Sequence, residues 1–108
     1  MTDEDLKLIT LARANRARAQ APEGAAVRDE MGRTYSAATV VLPSLNVTAL
    51  QLAVAMAASS GAERLEAAAL VSGSAPQLAD LEAVRDLGPD ATVFVATPDG
   101  TVRDTLEP

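Results

Sequence analysis

The chain has no cysteine and no histidine. Those two absences exclude disulfides, thiol nucleophiles, Ser/His/Asp and Cys/His constellations, and the two side chains that make most zinc sites. Aromatics are nearly missing too, with Tyr35 and Phe94 standing alone. The core must therefore be filled by Leu, Val and Ile and by alanine, the commonest residue. Helices faced with such small side chains can approach neighbours closely, which suits dense packing or a subunit interface. Positive charge is scarce: a net charge of −6 and a pI near 4.4 argue against a nucleic-acid partner, which needs clustered Lys and Arg facing one way. Lys7, Arg13, Arg16 and Arg18 do gather near the start. Asp3, Glu4 and Asp5 open that same helix and Arg16 and Arg18 close it, however, which is the order a helix dipole favours. No apolar run is long enough to span a bilayer and the acidic start does not read as a secretory signal, so no membrane partner and a cytoplasmic setting are expected.

Charge is absent altogether from Thr34 to Ala62. This run reads as a strand, Thr34 to Val41, a break at Pro43 and Ser44, and a helix, Val47 to Ser60, closed by Gly61. A helix that is apolar all round predicts burial on most sides. Ser44, Asn46 and Thr48 are its candidate caps. Upstream, Thr2 and Asp5 form a capping box for a helix running to about Ala19, ended by Pro22 and Gly24. Ala25 to Arg28 is a short strand, and Asp29 to Gly32 a hairpin turn whose adjacent acids read as turn chemistry rather than a metal loop. Downstream come a third strand, Glu66 to Val71, a loop from Ser72 to Pro76, and a helix from Gln77 to Leu87 stopped by Gly88 and Pro89. Ala91 to Ala96 is the clearest buried strand, and a turn, Thr97 to Gly100, leads to a last strand from Thr101 to Leu106. A chain of 108 residues with this order predicts one domain, 1–108, with a three-layer α-β-α architecture. Its mixed sheet has about five strands with helices on both faces, the later strands parallel through right-handed crossovers.

Several strings resemble the cytidine deaminase family. Gly32, Arg33, Thr34 and Tyr35 are similar to its hairpin; Thr48 to Gly61 has the length and pattern of its zinc helix; Pro76 to Leu87 followed by GPDATVFVATPDG resembles its Pro-Cys-x-x-Cys helix, strand and turn. The resemblance covers roughly residues 6 to 104 and implies a zinc ion that activates water, with a Glu that shuttles protons during hydrolytic deamination. Laid on this chain, the first zinc ligand falls on Thr48, the Glu on Leu50, and the Cys pair on Gln77 and Asp80. The family's ribose-gripping Asn and Glu fall near Thr39 and Val41. Hydroxyl and amide groups are poor zinc donors, and Leu50 cannot move a proton.

Three expectations follow. The first is a catalytically inactive, structural or regulatory protein without zinc or other cofactor, which forms a homo-oligomer, dimer or tetramer, or docks on a protein partner. The second is a pocket that holds a nucleoside or base without reacting, near which the resemblance places the polar groups of Thr39, Ser44, Asn46, Thr48 and Gln77. The third, a different enzyme, would need carboxylate pairs, and the close sets, Asp29 with Glu30 and Asp99 with Asp104, read as turn or surface acids.

Overall fold

The computed structural model describes Met1–Pro108. Helix α1 (Asp3–Ala19) starts at the capping box: the Asp5 amide donates to Thr2 Oγ1 and the Thr2 amide to the Asp5 carboxylate, both at 3.1 Å. Strands β1 (Glu23–Asp29) and β2 (Thr34–Ala38) form a hairpin, followed by a second, small hairpin of β3 (Val40–Leu42) and β4 (Leu45–Val47). Helix α2 (Ala49–Ser59), β5 (Leu65–Ser72), α3 (Leu78–Leu87), β6 (Thr92–Ala96) and β7 (Val102–Leu106) complete the chain. The main sheet has the order β2-β1-β5-β6-β7.

Strand alternation builds the three layers. Ala25 and Val27 of β1, Ala68 and Leu70 of β5, and Val93 and Val95 of β6 face the layer made by α2 and α3. Their neighbours Ala26, Ala67, Ala69, Val71, Phe94 and Ala96 face α1 through Leu8, Ile9 and Ala12. The α1 side is thus lined largely by alanine, which lets that helix settle close to the sheet. β5 and β6 are parallel and joined through α3, as a βαβ unit requires.

The structure corrects four readings. The expected strand from Thr34 to Val41 is broken after Ala38, and Val40, Val41 and Leu42 turn away to pair with β4. Val47, expected in the helix, belongs to that hairpin, and α2 begins at Ala49 with Thr48 as its cap. Only the β5–β6 pair is parallel; β7 returns antiparallel, because the four-residue turn from Thr97 to Gly100 is too short for a crossover. Lastly, α2 buries one stripe, Ala49, Leu50, Ala53, Val54 and Ala57, and leaves Ala55 and Met56 exposed. Its lack of charge is therefore not matched by burial all round. No helix is long and apolar enough to cross a membrane.

Candidate functional site

The carboxyl ends of the parallel strands β5 and β6 lie where α/β sheets commonly receive ligands. At the β5 end, the loop from Gly73 to Pro76 leads into α3, and the start of α2 stands alongside. Between them opens a cleft of about 490 Å³ whose lining includes Arg16, Glu23, Thr39, Thr48, Ser72 and Gln77. Register explains the pairing of two of these: Glu23 and Ser72 are opposite one another in the β1–β5 ladder. The Ser72 hydroxyl donates to the Glu23 carboxylate at 2.8 Å and accepts from the Ser74 amide at 3.0 Å. Thr39 binds the Glu23 carbonyl through its amide, 3.2 Å, and its hydroxyl, 3.3 Å. Arg16 Nε donates to the Pro22 carbonyl at 3.1 Å.

Thr48 forms a reciprocal capping box with Gln51 at the start of α2. Its hydroxyl also donates to Asp80 Oδ1 at 2.5 Å, a contact between residues 32 apart in the chain. Asp80 is completely buried and accepts the Gln77 amide on its other oxygen at 3.1 Å. Gln77 itself is exposed. Of the other positions singled out in the sequence, Thr39 lies on the cleft wall and Leu50 is fully buried in the core between α2 and the sheet. Val41 is 71% exposed and, with Asn46, lines an adjoining depression of about 150 Å³ between the small hairpin and α2, which shares Thr39 and Thr48 with the cleft. The structure thus brings Thr39, Thr48 and Gln77 to the lining of one cleft, bonds the buried Asp80 to two of them, Thr48 and the Gln77 backbone, and leaves Val41 and Leu50 out of it.

Arg16, Glu23, Ser72 and Ser74 were missed by sequence reasoning. They come from the end of a helix, the start of a strand and a loop, and only strand pairing brings them together. No local signal marks them.

The acidic pairs form no second site. Asp29 is fully buried and accepts the Met31 and Arg33 amides at 2.9 Å, Arg33 Nε at 3.0 Å and the Tyr35 hydroxyl at 2.9 Å. Burial pushes its pKa up, but the Tyr35, Arg33 and Met31 donors together outweigh that and hold it below the ordinary range. Glu30 points elsewhere, toward the Glu63 and Arg64 amides. Asp99 is held down to about 2 by the Thr97 hydroxyl and then by Thr101, whose amide it accepts across its turn. Asp104 bonds only the amide of Thr105.

An α-β-α sandwich with a polar cleft at the strand ends, flanked by the starts of two helices, places the chain among small three-layer α/β proteins. The chain belongs to the cytidine deaminase-like family, whose profile matches residues 1–100. Among proteins of curated function none matches the sequence. Among solved structures, cytidine deaminase from Burkholderia pseudomallei superposes with a TM-score of 0.83 at 26% identity, over 99% of this chain and 93% of that one. Cytidine deaminase from Mycobacterium leprae follows at 0.74 and 23%, over 95% and 93%, and that from Bacillus anthracis at 0.67 and 16%, over 92% and 80%. The latter two likenesses concern the fold alone.

Proposed function

We propose that this chain is a catalytically inactive cytidine deaminase-like protein, acting structurally or as a regulator by self-association or by binding another protein. The observation that carries the reading is the side-chain set at the heads of α2 and α3. The positions that the resemblance assigns to zinc hold a hydroxyl (Thr48), an exposed amide (Gln77) and one carboxylate (Asp80), and both oxygens of that carboxylate already accept hydrogen bonds. Zinc in such sites takes thiolate, imidazole and carboxylate ligands, so this donor set does not fit the ion. Where a proton-shuttling Glu is implied, Leu50 lies in the core.

Association is supported by what the uncharged segment leaves outside. Leu52, Ala55 and Met56 of α2 and Tyr35 line a groove of about 370 Å³, and Val41, Leu42 and Leu45 of the small hairpin are exposed. Apolar surface concentrated in this way marks interaction faces. Sedimentation at micromolar concentration is expected to show a dimer or tetramer. A strict monomer that captures no protein partner, or turnover of cytidine by the purified chain, overturns the proposal.

The polar cleft favours a second reading, in which it holds a nucleoside or base without hydrolysis. Glu23, Thr39, Ser72 and Gln77 offer acceptors and donors there. Calorimetry against a nucleoside panel tests it, and absence of heat at millimolar ligand removes it.

A further inference from the structure

Asp80 is a carboxylate with no exposure, and such a group is tolerated only when its oxygens are bonded. Its partners come from two different helices. Gln77 N–H at the start of α3 donates to Oδ2, and Thr48 Oγ1 at the start of α2 donates to Oδ1. The same Thr48 oxygen accepts the Gln51 amide at 3.1 Å, and Gln51 Oε1 accepts the Thr48 amide at 3.3 Å. A single run of hydrogen bonds therefore joins the two helix starts, and at its centre lies a charge-assisted bond, the stronger kind.

We propose that Thr48 and Asp80 form a metal-free clasp that ties α2 to α3, so that the packing of the two helix starts depends on this pair and not on a bound ion. A cation approaching Asp80 would compete with the Thr48 hydroxyl and the Gln77 backbone N–H for its two oxygens, each of which already accepts one bond inside the core. Weakening those bonds would loosen the linkage between the helices and the capping interaction of α3. The inference rests on the inactive reading in its metal arm alone.

The test is thermal unfolding of the wild type, Thr48→Ser, Thr48→Val, Asp80→Ala and the Thr48→Val/Asp80→Ala double variant, each with added zinc and with chelator. Thr48→Ser keeps the hydroxyl and is expected to stay near the wild-type midpoint. Thr48→Val removes both the cap and a partner of a buried charge, and its midpoint is expected to fall by about 10 °C. In the Asp80→Ala background, the same substitution removes only the cap, so the double variant is expected to lose clearly less than the sum of the singles. Zinc and chelator are expected to leave the wild-type midpoint in place. Additive losses, or a Thr48→Val protein as stable as wild type, overturn the clasp and leave the inactive reading standing. A midpoint raised several degrees by zinc overturns both, since only a ligand of the folded state stabilises in this way. If Asp80→Ala does not fold, the Ser and Val pair and the zinc arm still decide the matter.

Discussion

Asp29 shows how much one buried side chain organises. It closes the β1–β2 turn by accepting four donors, and the Tyr35 hydroxyl is one of them. Burial first, and then this bond to Asp29, raises the Tyr35 phenol above its reference value of 10.0. Because the chain has a single Tyr and no Trp, the tyrosinate absorption band reports this residue alone. Alkaline titration is expected to give a midpoint above 10 in the folded protein and one close to 10 in denaturant. Asp29→Asn removes the charge that orders these donors. It is expected to cost about 2 kcal/mol in urea unfolding, with the Tyr35 midpoint moving back toward its reference. An unchanged phenol midpoint in that variant would separate the two groups. The acids in this turn were legible as turn chemistry because Gly32 ends the segment; that Asp29 is buried was not, since its cover comes from the fold around it.

At the level of elements, α1 approaches β1 closely at Gly24. A Cβ built at Gly24 would lie 2.0 Å from the Ala12 carbonyl oxygen and 2.9 Å from Arg16 Cβ. Backbone cannot yield as a flexible side chain can. Gly24→Ala is expected to destabilise by about 2 kcal/mol or more, measured by chemical unfolding, because α1 must lift from an alanine-lined sheet. In α2 the sensitive position is Leu50. Leu50→Glu places a carboxylate in the core between α2 and the sheet and is expected to cost about 3 kcal/mol or more, read as a lost or sharply lowered thermal transition. The elements themselves were readable where periodicity is strong: the cap at Thr2, the helix after Gln77 and the strand ending at Ala96 all fall within a residue or two of their expected ends. The small hairpin was not. Val40 to Val47 pairs only with itself, and its short strands carry too few residues for a period to emerge.

For the whole molecule, electrostatics concentrates at acid pH. Asp5, Asp29, Glu30 and Asp99 all have lowered pKa values. At Asp5 and Asp29 burial alone would raise the value, and hydrogen-bond donors overcome it; at Glu30 and Asp99 hydrogen bonds lead. A carboxylate whose folded pKa is depressed contributes stability above its unfolded pKa and loses that contribution as pH falls through the folded one. Urea midpoints are therefore expected to be nearly flat from about pH 5 to 7 and to fall steeply from about pH 4 toward 2. With no histidine in the chain, a pronounced step near pH 6 would contradict this account.

The sequence by itself determined what chemistry the chain can carry and how its layers form. Without Cys or His no imidazole or thiolate exists to place, and the alternation of β5 and β6 assigns residues to two faces because side chains repeat every second position along a strand. Tertiary structure alone decided which elements meet. Strand order, the antiparallel return of β7, the Glu23–Ser72 pair on the cleft wall and the bond from Thr48 to Asp80 all depend on register and packing between segments far apart in the chain. The family resemblance aligned Thr48, Gln77 and Asp80 with one site, yet residue types alone could not tell that the hydroxyl and the carboxylate would bind each other. That is settled by the distance between two helix starts, which no local pattern encodes.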